Sequence, residues 1–174
     1  MRCRELLIGG TVAVLSTGAA AFCAPDAPGA CTDMLLQSTV TWDGAPMKYL
    51  RTRHPELTIR TIQFSPGTYN APHIHEAPVY IYVMTGAFEV ILADGRSQTW
   101  YAGEAFNEVM NTVHRGGNPG TTFTKLVIMS PSMEDCPFMT LVTTLQSDGP
   151  QCKEDDWRDP RNWSRNGFGQ WFWH

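Results

Sequence analysis

Short strand-like runs separated by glycine- and proline-containing turns fill the middle of this 174-residue chain. Strands are predicted at 39–42, 57–64, 71–75, 79–85, 87–92, 97–101, 105–109, 113–116 and 122–130. The turns between them carry Gly, Pro, Asn, Asp and Ser, which accept tight or left-handed backbone conformations. Many short strands at such spacing predict an all-β barrel or sandwich.

Three of the five histidines lie where such a barrel would bring them together. His73 and His75 are two residues apart on a predicted strand, so their side chains leave the same face. His114 follows after further strand-like runs, at a distance that lets a neighbouring strand return to the same place. Three converging neutral imidazoles suit a transition metal.

The length and charge of the chain limit the other function classes. A chain of 174 residues is long enough for one domain with appendages. Its formal net charge is -4, and the Lys and Arg residues are scattered among acids. The sequence therefore offers no basic surface for nucleic acid, and a small-molecule substrate is the expected partner.

The N-terminus has the pattern of a secretory signal peptide. Arg2 and Arg4 precede an uncharged, mostly apolar or small stretch at 6–23, and Ala24 offers a small residue near a cleavage point. A transmembrane anchor is the less favoured interpretation, because the apolar core is short for a bilayer span. We predict a signal peptide at 1–24, a linker at 25–38, a barrel at 39–135 and a C-terminal extension at 136–174. The mature protein is then secreted or periplasmic, without a stable membrane anchor.

Cysteine usage agrees with an oxidising compartment. No pair has the C-x-x-C spacing of a metal site, so the cysteines that remain after export are assigned to disulfides. Cys136 can pair with Cys152, and Cys31 with either of them is the competing arrangement.

Two motifs combine glycines with the histidines. The first motif, G-x5-H-x-H-x3/4-E-x6-G, matches the sequence at Gly67, His73, His75 and Gly86. The second motif, G-x5-P-x-G-x2-H-x3-N, matches it at Gly103, His114 and Asn118. Val79 holds the glutamate position of the first motif, and Val109 and Asn111 replace Pro and Gly in the second.

These motifs resemble those of the cupin superfamily, and residues 53–129 resemble its small single-domain members. The resemblance implies an all-β fold, the double-stranded β-helix or jelly-roll barrel, with an irregular leader and a Trp-rich tail added here. It implies His73, His75 and His114 as ligands of one divalent transition metal. Iron(II) or manganese is the favoured metal because either suits oxygen chemistry, and zinc, nickel and copper are the alternatives. The resemblance also implies a homodimer.

Two further residues are candidates for catalysis. Glu108 lies six residues before His114, and we weigh it as a fourth ligand or general base, as a carboxylate orienting a histidine ring, or as a rim charge. Tyr80 is a candidate for proton transfer or substrate anchoring, with a packing role as the alternative. Glu76 is predicted to face solvent, and Arg60 and Lys125 are interpreted as exterior charges rather than anion ligands.

The tail after residue 148 contains four tryptophans at 157, 163, 171 and 173. Packing on the outer sheet or at an oligomer interface is favoured over a lid on the barrel mouth. A formal glycosylation sequon begins at residue 162.

The sequence leads to a metal-dependent oxidoreductase of the dioxygenase type as the first function hypothesis. A metal-dependent lyase or isomerase, a non-catalytic binding protein and a structural domain are the alternatives. An apolar pocket would exclude bulk water from the metal. Its predicted walls are Phe64, Val83, Phe88, Phe106 and Ile128.

Overall fold

The computed structural model of the chain describes residues 33–156, 158, 159 and 161, and the backbone of 163–165 and 171–173. The described residues from Leu35 onward belong to one compact unit. The predicted signal peptide, Cys31, Trp157, the start of the sequon, and the other tryptophan side chains of the tail lie outside the described residues.

Antiparallel strands dominate the described part of the chain, with one short helix. The elements are β1 (Pro55–Phe64), β2 (His73–Ile74), β3 (Tyr80–Thr85), β4 (Ala87–Leu92), β5 (Ser97–Tyr101), β6 (Ala105–Asn107), β7 (His114–Gly117), β8 (Thr124–Met133), β9 (Thr140–Leu141), α1 (Val142–Asp148), β10 (Trp163–Arg165) and β11 (Trp171–Trp173). The all-β prediction is confirmed.

Two sheets form the barrel. One has the strand order β1-β8-β3-β6 and the other the order β5-β4-β7-β2-β9, while β10 and β11 pair separately. Neighbouring strands are often distant in sequence, as the pairing of β1 with β8 shows. This crossing order is that of a jelly roll, as predicted.

The core lies between the two sheets because side chains alternate along each strand. In β3, Ile81 and Val83 are buried, whereas Tyr80 and Tyr82 on the other face are only half-buried. In the facing sheet, β4 buries every second residue in the same way. The buried cluster comprises Val79, Ile81, Val83, Phe88, Val90, Leu92, Phe106, Val109, Leu126 and Ile128.

Two positions of the motifs have steric explanations. Gly86 joins β3 to β4 at φ +77°, and a Cβ there would lie 2.8 Å from the carbonyl oxygen of Phe123. Asn111, which replaces a motif glycine, has φ +52°. Asparagine tolerates this left-handed conformation better than most residues, so the replacement keeps the turn.

The structure differs from the predicted strands at both ends of the barrel. Residues 39–42 form no strand; Val40 makes only an isolated bridge to Pro46. The Thr41 hydroxyl bonds Asp43 and the carbonyl of Ala45, which closes a tight turn instead. Beyond residue 135, β9 adds to the second sheet and α1 follows it, and neither element was predicted.

No helix in the described part of the chain is both long and apolar enough to cross a bilayer.

Candidate metal centre

The three histidines of the motifs meet on adjacent strands of the second sheet. His73 of β2 is directly opposite His114 of β7 in the antiparallel register. His75 follows two residues after His73, and all three side chains are buried. One ligand atom from each lies within 4.8 Å of the others. The structure therefore brings together the residues that the spacing predicted.

Each imidazole is oriented by a backbone carbonyl. Nδ1 of His73 lies 2.8 Å from the carbonyl oxygen of Ala71, and Nδ1 of His114 lies 2.8 Å from that of Thr112. Nδ1 of His75 lies 2.7 Å from the carbonyl oxygen of Phe138. A carbonyl can only accept, so each Nδ1 carries the proton and each Nε2 keeps a free lone pair. This arrangement prepares all three rings to bind a metal through Nε2.

Glu108 lies beside the Nε2 atoms of two of the histidines. Its side chain is 4% exposed, its Oε2 lies 3.2 Å from Nε2 of His75, and its Oε1 lies 3.1 Å from Nε2 of His114. The burial rules out an exposed rim charge. A carboxylate that only oriented a ring would face Nδ1, but here the carbonyls do so. Glu108 therefore lies where a ligand or a base would act.

The position of Glu108 accounts for the missing glutamate of the first motif. Val79 holds that motif position and is buried. The backbone N–H of Glu108 donates to the carbonyl of Val79 at 2.9 Å, so the two residues lie side by side on neighbouring segments. The carboxylate thus comes from the segment after β6 rather than from the one before β3.

The electrostatics of the centre favour a cation. Burial raises the pKa of Glu108, but His75 and His114 together outweigh it and hold that pKa well below its usual range. Burial, with His75 beside it, lowers the pKa of His73 to about 4. Nε2 of His114 is buried and makes no well-aligned hydrogen bond, although Oε1 of Glu108 lies 3.1 Å away. An anionic carboxylate beside imidazole lone pairs fits a divalent transition metal.

A small apolar cavity adjoins the ligand atoms. Its volume is about 20 Å³, room for roughly one water-sized group. Phe64, Phe88 and Ile128 line it as predicted, while Val83 and Phe106 are buried in the core and do not. The other apolar lining residues are Ile62, Ile81, Leu126 and Phe138. A cavity of this size is too small for an organic substrate.

Residues 136–152, called the strap below, cover one side of the centre. A disulfide joins Cys136 to Cys152, which is one of the two arrangements the sequence left open. Within the strap, β9 pairs with β2, the strand that carries His73. The Phe138 ring lies 4.9 Å from the His75 ring, in addition to the carbonyl contact described above. The strap thus orients one metal-facing ring and covers it.

Glu76 holds the strap, and its prediction as a solvated residue was wrong. Its side chain is buried and accepts bonds from the Thr140 hydroxyl and from the backbone N–H groups of Gln151 and Cys152. The prediction assumed regular alternation, but β2 ends at Ile74 and the chain bends afterwards. Sequence reasoning also missed Phe138, because no motif reaches that far.

Tyr80 lies away from the centre. It is on the opposite face of β3 from Ile81, which lines the cavity, and its hydroxyl lies 2.7 Å from that of Tyr49. Burial, followed by the bond to Tyr49, raises the pKa of Tyr80 above its ordinary value. The Tyr80 hydroxyl therefore pairs with Tyr49 outside the cavity, as expected for the packing role.

Metal binding is expected to release a proton from His114 when the pH is below the raised pKa of this residue. Burial lowers the pKa of His114, but the adjacent Glu108 outweighs it and the net shift is upward from 6.5. In the metal-free protein this shift stabilises the fold fully below pH 6.5, and the contribution is lost as the pH rises through the raised pKa. A metal must displace that proton, so apparent affinity falls as the pH is lowered through the same range. Titration calorimetry in buffers of different protonation enthalpy measures the release, and equal heats in all buffers would contradict it.

Comparison with known protein families gives a match for the middle of the chain. Residues 60–130 match the family model described as Cupin domain. No curated protein sequence is significantly similar to the chain. An oxalate oxidase structure is 31% identical over 54% of this chain and 51% of its own, with a TM-score of 0.44. The chain thus spans about half the length of that oxidase.

Two further solved structures are more distant. The polyketide cyclase RemF from Streptomyces resistomycificus is 22% identical over 55% of this chain and 70% of its own, with a TM-score of 0.42. The EutQ protein of Clostridium difficile is 16% identical over 43% and 56%, with a TM-score of 0.38. Because these TM-scores are below 0.5, the assignment rests on the family model and its agreement with the histidine motifs. Residues 60–130 of the chain therefore form a cupin domain.

Proposed function

We propose that this protein is an exported, metal-dependent oxidoreductase of the dioxygenase type that acts on a small organic substrate. The observation that carries the proposal is the convergence of three Nε2 lone pairs and one carboxylate, each ring fixed by a carbonyl. The residues that would hold the metal are His73, His75, His114 and Glu108. Iron(II) or manganese in this site would supply the chemistry that activates dioxygen.

The surroundings of the ligand atoms support oxygen chemistry over hydrolysis. The cavity beside them is lined mainly by aromatic and aliphatic side chains and has a volume of about 20 Å³. Such a space holds one small molecule and excludes bulk water. Glu108 is held anionic beside the imidazoles, where it can keep a ligand position or accept a proton from the substrate.

The disulfide supports the proposed export. Disulfides persist in oxidising compartments and are rare in the cytosol, so Cys136–Cys152 agrees with secretion or a periplasmic location.

Nitric oxide, an analogue of dioxygen, tests the proposal without knowledge of the substrate. The mature protein, loaded anaerobically with iron(II), is titrated with nitric oxide and followed by electron paramagnetic resonance. We expect a high-spin iron-nitrosyl signal of about one spin per chain. Absence of the signal with iron bound would refute oxygen chemistry and favour a lyase, an isomerase or a binding protein.

Replacing Glu108 with glutamine is expected to weaken iron(II) binding by about 10- to 100-fold while the protein stays folded. The amide keeps the size of the side chain but removes its charge from between His75 and His114. Competition with a fluorescent chelator measures the affinity. Glu134→Gln is the matched control, since that side chain is 67% exposed. Unchanged affinity in Glu108→Gln would exclude direct ligation.

A further inference from the structure

Arg60 lies on the inner face of β1, although the sequence analysis interpreted it as an exterior charge. Ile62 and Phe64 follow it on the same face, and both line the cavity of the metal centre. Across the sheet, Arg60 is opposite Ile128, another lining residue. The Arg60 side chain is exposed, so it lies at the outer end of a row of side chains that leads to the centre.

Two successive ring contacts connect Arg60 to His75, one of the metal-facing histidines. The Arg60 guanidinium carbon lies 4.2 Å from the centroid of the Phe138 ring. The Phe138 ring lies 4.9 Å from the ring of His75. Cation–π contact on the ring holds the guanidinium in place at the edge of the site.

No carboxylate among the described residues pairs with Arg60. Other arginines do have such partners, for example Arg96 with Asp94 and Arg161 with Asp159. A guanidinium that stacks on a ring keeps its in-plane N–H groups for a further ligand. Two parallel N–H groups match the two oxygens of a carboxylate.

We propose that Arg60, held by Phe138, is an anion subsite at the mouth of the metal centre and that the substrate is a small organic carboxylate. This assignment of substrate class rests on the function proposed above. The carboxylate binds the free edge of the guanidinium, and the remainder of the molecule points past Phe138 towards the histidines. Phe138 can yield space, because it is only half-buried and its backbone carbonyl, not its ring, holds His75.

Benzoate and its neutral counterpart benzamide test the subsite. The protein is loaded with zinc, which has no redox chemistry, and ligand binding is measured by saturation-transfer NMR. A metal-free sample separates the contribution of Arg60 to ligand binding from that of the ion. We expect wild type to prefer benzoate by about tenfold or more in both samples, as a charge-assisted hydrogen-bonded pair implies. In the metal-free sample Arg60→Gln should remove the preference, and Arg60→Lys should restore part of it. The zinc content of the loaded Arg60→Gln protein should equal that of wild type.

Lys125→Gln is the matched control. Lys125 lies on the outer face of the neighbouring strand β8, opposite Gln63, so its removal changes the net charge equally. We expect its benzoate preference to equal that of wild type. Equal preference in Arg60→Gln and wild type, or no preference in wild type, would overturn the proposal. The nitric oxide titration is independent of this assay, so failure of the anion subsite and failure of the oxygen chemistry are distinguishable.

Discussion

His114→Ala is expected to lower the affinity for divalent metal by at least about 100-fold. The loss of a direct ligand should exceed the roughly 10- to 100-fold loss that follows when a residue that only orients a ligand is removed. The variant removes one of the three converging Nε2 atoms. It belongs to His114, the residue directly opposite His73 in the antiparallel register. Atomic absorption of protein purified without chelator should show near-stoichiometric metal in wild type and little in the variant.

The barrel should stay folded in His114→Ala, because the apolar cluster between the sheets does not include this residue. Circular dichroism checks this point, and His54→Ala is the control for loss of a histidine, since its side chain is 61% exposed. Full metal content in the folded His114→Ala variant would show that the ion binds elsewhere.

Glu76→Ala is expected to reduce the free energy of unfolding by about 3–5 kcal/mol, because several buried donors lose their shared charged acceptor. The substitution leaves the Thr140 hydroxyl and the N–H groups of Gln151 and Cys152 without their acceptor. Each hydrogen bond to a charged group contributes about 1.5–3 kcal/mol. Urea unfolding of the oxidised protein measures the change.

The same variant should also weaken metal binding, because Glu76 holds the strap whose Phe138 carbonyl orients His75. Glu76→Gln, which keeps one acceptor oxygen, should show a smaller loss of both quantities. Glu134→Ala, at an exposed position, should change stability by less than about 0.5 kcal/mol. A Glu76→Ala protein as stable as wild type would mean that the disulfide alone holds the strap.

The histidine part of the site was predictable from the sequence because the periodicity of a strand is fixed. A separation of two residues puts His73 and His75 on one face of an extended segment, and both rings do reach the site although β2 itself ends at Ile74. The motif spacing then places His114 on a strand that returns to the same sheet, and the register confirms the encounter.

Glu108 was only half predictable. Its even separation from His114 suggested a shared face, but the turn between them contains Asn111 in a left-handed conformation, which breaks any simple phase count. Its orientation towards Nε2 depends on the pairing of its segment with Val79, and that pairing is visible only in three dimensions.

The roles of Glu76, Phe138 and Arg60 could not be predicted from local patterns. The burial of Glu76 depends on hydrogen-bond donors that follow it by 64 and 76 residues, at Thr140 and Cys152. The position of Arg60 depends on the distant Phe138 ring. An alternation rule reports which face a side chain takes within a strand. It does not report what a distant segment brings to that face, nor where a strand of two residues ends.

The strap has a consequence for the maturation of the protein. All four proposed metal ligands precede residue 136 in the chain, whereas the disulfide needs Cys152. An ion can therefore be seated while the cover is still reduced, and oxidation afterwards slows its exchange. If the proposed site binds metal in the cell, we expect metal acquisition and disulfide formation to be successive steps of biogenesis, so that their order would decide which ion is retained.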